Sequence, residues 1–319
     1  MFCGKIDKNI RFSGDFMFEK RTDLALEVHE LHGDASGIEV NEQIKDGIKV
    51  TVAEVSQGIG EKSSGKKAGR YITLDIGKIW KQDKKRFRDT AALLASEIES
   101  LLPQVEGTVL VAGLGNEEIT SDSIGPLAVK RLLVTRHIAA IDSLLFKSAG
   151  FGSLAAISPG VLGQTGIESA EIIKSICDTV KPKCVIVIDS LASRRLSRLA
   201  TTVQLSDNGI SPGSGVSNRR VALDSELLGT KVVSIGVPTV VDAATLAYDL
   251  LEEHTGREDD SFSRVINNLM EGSGRNMFVT PKDNDIIAKQ TASLIAIALN
   301  LAVHKLSIDE INEYLGSQS

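Results

Sequence analysis

Short, continuously apolar runs recur along the chain between segments of helical periodicity. The clearest runs, at 107–112, 184–190 and 231–241, predict buried strands. Strands of this kind that alternate with helices are typical of a mostly parallel or mixed sheet, covered by helices on both faces. The pattern therefore predicts an α/β fold.

The first 80 residues have a different pattern, in which polar and apolar positions alternate. Residues 47–55 and 69–77 alternate most clearly and predict strands. Residues 58–70, rich in Gly, Ser and Lys, predict a flexible basic hairpin or loop. Residues 1–20 are weakly patterned and fit a disordered tail or a removable segment. We expect residues 21–319 to form one α/β domain with a β-rich N-terminal extension.

Amphipathic periodicity predicts the helices that accompany these strands. They are expected at 83–102, 121–138, 165–180, 242–254 and 283–304, with a short last helix near the C-terminus. Capping signals favour three of the starting points: Thr165 with Glu168, Thr280 with Pro281, and Ser307 with Glu310.

Composition narrows the classes of protein that fit this fold. Hydrophobic residues make up 42% of the 319 positions and aromatic residues only 4%, so the core must be aliphatic. The net charge of −6 and the scarcity of aromatic side chains disfavour direct nucleic-acid binding, which needs a basic surface or stacking platforms. A basic partner fits the charge better.

Three features indicate a cytoplasmic protein. The three cysteines are odd in number, which favours a reducing compartment and buried structural roles for Cys177 and Cys184. The N-terminus lacks the continuous apolar segment of a secretory signal. The best candidate for a membrane span, residues 292–304, is too short, so no membrane partner is expected.

Two aspartates lie where an α/β sheet places its ligands, at the carboxyl ends of strands. Asp122 follows the first apolar run and precedes a predicted helix, whereas Asp189 directly ends the second run. Asp122 could simply cap that helix, and Asp189 could hydrogen-bond a neighbouring loop. Together, two acids on adjacent strand ends could share one proton, so that one activates a water and the other acts as an acid.

Glycine-rich loops accompany these strand ends. The first contains Gly113 and Gly115, but Glu118 occupies the third position of a dinucleotide fingerprint and would repel a pyrophosphate. Such loops could bring backbone N–H groups to a substrate peptide or an oxyanion, and ordinary tight turns explain them equally well. The candidate substrate-binding or oxyanion residues are Gly113, Gly115, Asn116, Gly163, Gly166, Gly213, Ser214 and Gly215.

Other catalytic devices are disfavoured. Ser214 does not lie in a Gly-x-Ser-x-Gly elbow, and no histidine is placed to activate it. The sequence has no His-Glu-x-x-His motif and no Cys/His cluster, so no metal and no cofactor are expected. Three of the histidines, His137, His254 and His304, lie towards predicted helix ends, where structural roles are favoured.

Blocks of sequence over nearly the whole chain resemble the spore germination protease family. They are RTDLALE (21–27), GKKAGRYITLD (65–75), GLGN with DSIGP (113–126), LLVTRH (132–137), PGVLGQTGIE (159–168), KPKCVIVIDSLASR (181–194), DNGISPGSGVSNRR (207–220), IGVPTVVDA (235–243) and FVTPKDND (278–285). The resemblance implies an endopeptidase of aspartic type that degrades small acid-soluble spore proteins during germination. It implies that Asp122 and Asp189 are the catalytic aspartates, on a phosphorylase- or hydrolase-like α/β fold similar to that of hydrogenase maturation proteases.

The resemblance also implies how the protein matures and assembles. Members of the family are zymogens that trim their own short propeptide, which here would be residues 1–20 with a junction near Glu19, Lys20 and Arg21. They form homotetramers. Their spore substrates place the chain in the cytoplasm of the forespore and, later, in the spore core.

Two alternatives stay open at this point. A metal-dependent processing protease of the hydrogenase maturation type would hold a metal with acids and a histidine, but residues 234–241 supply no histidine. A non-catalytic module that binds spore proteins would need neither aspartate. Small departures from the family, such as Ser121 for a common proline and Ser190 for a common alanine, leave both aspartates in place.

Overall fold

One mixed β-sheet organises the molecule. The computed structural model describes residues 22–32, 36–212, 220–255, 266, 277–304 and 306–316. In those residues the sheet has nine strands: β1 Ile38–Lys45, β2 Ile48–Val55, β3 Gly69–Asp75, β4 Val109–Gly113, β5 Leu154–Ile157, β6 Cys184–Ser193, β7 Thr202–Ser206, β8 Lys231–Asp242 and β9 Phe278–Val279. Their order is β1-β2-β3-β7-β8-β6-β4-β5, with β9 paired to the carboxyl end of β8.

The sheet has a parallel half and an antiparallel half. Strands β5, β4, β6 and β8 are parallel neighbours, whereas β7, β3, β2 and β1 continue the sheet in antiparallel pairs. The fold is thus mixed α/β, as the sequence predicts. The expected N-terminal extension belongs to the same sheet, because β3 pairs with β7.

Helices cover both faces of this sheet. Their bounds are α1 Ala25–His32, α2 Ile59–Ser64, α3 Lys84–Leu101, α4 Ile124–Val129, α5 Arg136–Ile141, α6 Ser143–Ser148, α7 Leu162–Thr165, α8 Ser169–Val180, α9 Ser225–Leu228, α10 Ala243–Thr255, α11 Asn284–Val303 and α12 Ile308–Gly316. Helices α3, α4 and α11 pack on one face, and α8 and α9 pack on the other.

Strand β6 shows why its sequence is continuously apolar. Ile186 and Ile188 pack in the cluster that includes α3 and α11, whereas Val185 and Val187 pack in the cluster that includes α8. Because side chains alternate along a strand, both faces of β6 are buried. The thiol of Cys184 at its start is also buried, and burial raises its pKa to about 11.

Two predicted segments fold differently. Residues 58–70 contain helix α2, which ends at Gly65 with φ of 65°. The predicted helix 121–138 is interrupted between α4 and α5, because Leu133 N–H donates to Asn300 Oδ1 at 2.9 Å and Thr135 N–H donates to Leu154 O at 3.0 Å. These tertiary bonds hold the backbone where a continuous helix would need its own hydrogen bonds.

The capping predictions have mixed outcomes. The box formed by Ser307 and Glu310 is confirmed, since Ser307 N–H donates to Glu310 Oε2 at 2.8 Å and Glu310 N–H donates to Ser307 Oγ at 3.3 Å. The box at Thr165 is wrong, because α8 begins at Ser169 and Thr165 Oγ1 accepts from Ile167 N–H. The cap at Thr280 is also wrong, because its hydroxyl donates to Thr239 O at 3.1 Å.

Helix α11 is more extensive than the apolar run 292–304 suggests. It has 20 residues and, in the described part of the chain, is the one helix that is long and apolar enough to cross a membrane by length and composition. Of its most apolar window, 56% is buried inside the protein. Its contacts with α3 and α4 make it a core helix of this fold.

Candidate active site

Asp189 lies at the carboxyl end of the parallel half of the sheet. It is on β6, in register with Gly236 of β8, and only 6% of it is exposed. Within the described ranges its carboxylate has one hydrogen-bond partner, the N–H of Ser190, at 2.9 Å. Among the described residues the carboxylate thus fastens no neighbouring loop, and the Ser190 N–H is its one compensating contact there.

Asp122 lies beside it, in a 3₁₀ turn at Thr120–Asp122 between β4 and α4. Its Oδ2 accepts from Asn116 N–H at 2.8 Å. The cap position of α4 is Ser123, and no side chain caps that helix. The helix-cap reading of Asp122 is therefore wrong, and the carboxylate is turned towards the loop that follows β4.

Close backbone approaches fix the Asp122 turn against the sheet. A Cβ on Gly113 would lie 2.2 Å from Gly125 O, and one on Gly115, where φ is 110°, would lie 2.0 Å from Asp122 O. Both positions therefore require glycine. The hydroxyl of Thr239 at the end of β8 donates to Ser121 O at 2.7 Å and fastens the turn from the other side.

The two carboxylates are electrostatically coupled. Burial raises the pKa of Asp189 well above its usual value, and the charge of Asp122 raises it further. The Asp23 charge also raises it, while the Ser190 N–H and the Arg220 charge oppose the shift. Burial raises the pKa of Asp122 as well, against the Asn116 N–H and the Arg220 charge. Of the two, Asp189 is the more deeply buried, so burial disfavours its charged form more strongly.

The other predicted residues lie in or next to α7, or outside the described residues. Gly163 lies in α7 and Gly166 ends it with φ of 71°, and a Cβ at either position would meet nothing within 4 Å. The neighbouring Gln164 joins this loop to the site, because its Nε2 donates to Asn116 Oδ1 at 2.9 Å. Gly213, Ser214 and Gly215, as well as Glu19, Lys20 and Arg21, lie outside the described residues.

Sequence reasoning missed Asp23, Thr239, Gln164 and Arg220. Arg220 is the last residue of the block 207–220, and its backbone N–H donates to Pro212 O at 3.3 Å. Its position in the block 207–220 was the available signal, but nothing in the spacing links it to the aspartates. In the described portion of the chain no three His, Cys, Asp or Glu residues group as a metal site requires.

We expect Gly115→Ala to lower the activity of this site about 100-fold, because an added methyl group must displace the Asp122 turn and a misplacement of about 1 Å has that effect. Gly316→Ala, at the end of α12, is the matched control, since its methyl group meets no atom within 4 Å. Steady-state kinetics of both variants check this. Equal rates for the two variants would contradict the required close approach at Gly115.

A mixed sheet that brings two coupled carboxylates to the ends of neighbouring parallel strands defines an α/β protein with a two-aspartate centre. The sequence profile described as Germination protease matches residues 15–272 of the chain. The chain therefore belongs to the germination protease family and is a peptidase.

Curated relatives carry the same name. The chain is 42% identical over 318 residues to the germination protease of Caldanaerobacter subterraneus subsp. tengcongensis, covering 92% of this chain and 98% of that protein. It is 38% identical over 326 residues to that of Clostridium perfringens, covering 94% and 100%. It is 37% identical over 345 residues to that of Bacillus licheniformis, covering 89% and 93%.

Among solved structures, the fold has a partial likeness to a nickel-iron hydrogenase maturation protease, HycI, from Thermococcus kodakarensis. The TM-score is 0.34 and the identity is 17%, over 64% of this chain and 98% of that one. A likeness this low bears on neither the site nor the function.

Proposed function

We propose that this chain is the endopeptidase that begins the degradation of small acid-soluble spore proteins during germination, and that Asp122 and Asp189 activate the attacking water. Membership of the germination protease family supports the reaction class and its setting. The observation that carries the mechanism is the pair of coupled carboxylates at adjacent strand ends, of which Asp189 is buried and Asp122 partly so.

The surroundings of the two acids assign their roles. Asp189 is the more buried and holds the shared proton, so it is the acid. Asp122 is partly exposed and receives the Asn116 N–H at 2.8 Å, which favours its charged form and makes it the base. Two carboxyl groups in unequal environments can therefore take opposite roles at one pH.

The proton transfers balance over one cycle. Asp122 takes a proton from water as the water oxygen bonds to the scissile carbonyl carbon, and Asp189 gives its proton to the carbonyl oxygen. The tetrahedral intermediate then breaks its C–N bond. Asp122 gives its proton to the leaving amine, and a hydroxyl of the intermediate returns a proton to Asp189, which restores the starting state.

The glycine-rich loops are placed to hold the substrate peptide. The bond from Gln164 to Asn116 joins the loop of Gly163 and Gly166 to the loop that carries Asp122. Backbone N–H groups in such loops stabilise an oxyanion without reorganisation. We extend this role to Gly213, Ser214 and Gly215 as part of the proposal.

We also propose that residues 1–20 are a propeptide, which the chain removes near Glu19, Lys20 and Arg21. A homotetramer in the cytoplasm of the forespore and spore core completes the proposal, with no cofactor, nucleic acid or membrane involved. The exposed apolar side chains of Ile141 and Leu144 support assembly, because adjacent exposed apolar groups commonly mark contact surfaces.

The test is cleavage of a purified small acid-soluble spore protein, followed by mass spectrometry. We expect internal cuts by the processed form of the wild-type chain, and none by Asp189→Asn. A processed wild-type chain that binds the substrate without cutting it would contradict the proposal and favour a binding module. Loss of cutting in a chelator, restored by a divalent ion, would instead favour the metal-dependent alternative.

A further inference from the structure

Strand β6 continues beyond its partner β4 at the candidate active site. The two strands pair only as far as Gly113 and Ile188, and Leu114 N–H makes the last contact by donating to Ile188 O at 2.8 Å. Backbone groups of alternate residues point to the same edge of a strand, so those of Ser190 and Ala192 follow those of Ile188. Asp189 thus lies on a stretch of β6 that β4 does not support.

Asp23 occupies this edge three residues beyond Asp189. Its N–H donates to Ala192 O at 2.9 Å, and its Oδ2 accepts from Ala192 N–H at 2.9 Å. Both backbone groups of Ala192 are therefore paired, which replaces the ladder that β4 no longer provides. The β6–β8 ladder also shifts register between Leu191 and Ala192, so this part of β6 has irregular support on its other side.

We propose that Asp23 is a positioning residue of the two-aspartate centre, which fixes the strand end that carries Asp189 by pairing with both backbone groups of Ala192. This inference rests on the proposed function of Asp189. The unsupported stretch of β6 then has two fixed ends, Leu114 at one and Asp23 at the other.

The segment that carries Asp23 is itself firmly held. Ala25 N–H donates to Gln204 Oε1 at 2.8 Å, and Lys66 Nζ donates to Asp23 O at 2.9 Å. The fully buried Glu27 accepts backbone N–H groups just beyond Ala192. A carboxylate held this rigidly can fix the position of a strand end.

Asp23 also acts on Asp189 through its charge. Its negative charge raises the pKa of Asp189, as the charge of Asp122 does, whereas Arg220 lowers it. Lys66 faces Asp23, and burial lowers the pKa of Lys66 against the charges of Asp23 and Glu27. Removing the Asp23 charge therefore lowers the pKa of Asp189, so Asp189 loses its proton at a lower pH.

The test compares Asp23→Asn and Asp23→Ala in the full chain. The amide of Asp23→Asn can still accept from Ala192 N–H but has no charge. We expect the carboxyl ¹³C NMR titration midpoint of Asp189 to shift to lower pH in this variant, because the Asp23 charge that raises its pKa is gone. In the processed form, the pH at which kcat/KM falls on the alkaline side should decrease together with the Asp189 midpoint. Asp23→Ala also loses the acceptor, and we expect kcat to fall about tenfold or more with KM unchanged.

Asp83→Asn is the matched control, because Asp83 also accepts a backbone N–H, that of Arg86 at 2.8 Å, but at the start of α3. An Asp189 midpoint and a kcat that both stay at the wild-type values in Asp23→Ala would overturn the inference, because that variant lacks both the acceptor for Ala192 N–H and the charge. A role in folding alone would lower stability and leave both values unchanged. The NMR midpoint does not depend on cleavage. Cleavage by Asp189→Asn would contradict the proposed mechanism. The NMR titration would still show whether Asp23 acts on Asp189.

Discussion

Asp189→Asn is expected to lower peptide cleavage by about 10⁴-fold while the chain stays folded. The amide fills the same space as the carboxyl group but cannot give a proton to the scissile carbonyl and recover it. Asp122→Asn removes the base and is expected to have an effect of similar size. Because the two act as one unit, the double variant should be no slower than either single one.

The same substitution has a second, opposite consequence for stability. Burial raises the pKa of Asp189 well above its value in the unfolded chain, so the native state binds this proton more tightly. As pH rises between the two pKa values, the unfolded chain loses the proton first and wild-type stability falls by about 1.4 kcal/mol per pH unit. An asparagine does not titrate, so Asp189→Asn should be the more stable protein at neutral pH.

Urea unfolding of both proteins at several pH values checks this prediction. The stability advantage of Asp189→Asn should be smallest below pH ~3, where the side chain is protonated in both states, and should grow towards neutrality. An advantage that stays constant with pH would contradict a raised pKa at Asp189. Cleavage that survives in Asp189→Asn would remove Asp189 from the chemistry.

Glu27→Gln is expected to lower the free energy of unfolding by about 3 to 5 kcal/mol. Glu27 is 0% exposed, and its carboxylate accepts from Arg194 N–H at 2.6 Å and Arg195 N–H at 3.0 Å, with Arg198 Nη1 3.2 Å away. Glutamine replaces an acceptor with an NH₂ group, which then faces a donor. The Arg198 guanidinium also loses a buried counter-charge.

Glu30→Gln is the matched control on the same helix. Glu30 also pairs with Arg198, but its side chain is 35% exposed, so its loss should cost less than about 1 kcal/mol. Urea unfolding of the two variants measures the difference directly. Similar losses of unfolding free energy in the two variants would show that the cost of Glu27→Gln does not come from the burial of the Glu27 carboxylate.

The sequence predicts where the candidate site lies, but it does not predict how the side chains of the site are oriented. Apolar runs that end in Gly113 and Asp189 are sufficient to place both aspartates at strand ends, since parallel strands bring their carboxyl ends to one edge. Periodicity does not reveal that Asp122 turns away from α4, because an aspartate before a helix usually caps it. The Asn116 N–H and the fit of Gly115 against Asp122 decide that orientation.

Hydrogen bonds to residues far away in the sequence explain why the continuous helix at 121–138 and the helix cap at Thr280 were wrong predictions. The helix pattern of 121–138 is continuous, yet the bonds from Leu133 to Asn300 and from Thr135 to Leu154 interrupt the helix. Thr280 has the sequence of a helix cap, but its hydroxyl bonds to Thr239 of β8. In each case a partner far away in the chain provided a hydrogen bond that local propensity does not anticipate.

The sequence by itself determined the fold class, the aliphatic core and the two aspartates, because hydrophobic periodicity and strand-end position are local properties. Only the tertiary structure decided the direction of the Asp189 pKa shift, since burial and the charges of Asp122, Asp23 and Arg220 come from separate parts of the chain. The same holds for Asp23, which lies 169 positions from the Ala192 that it pairs with. No local pattern records such a pairing, so folding alone brings these groups to one site.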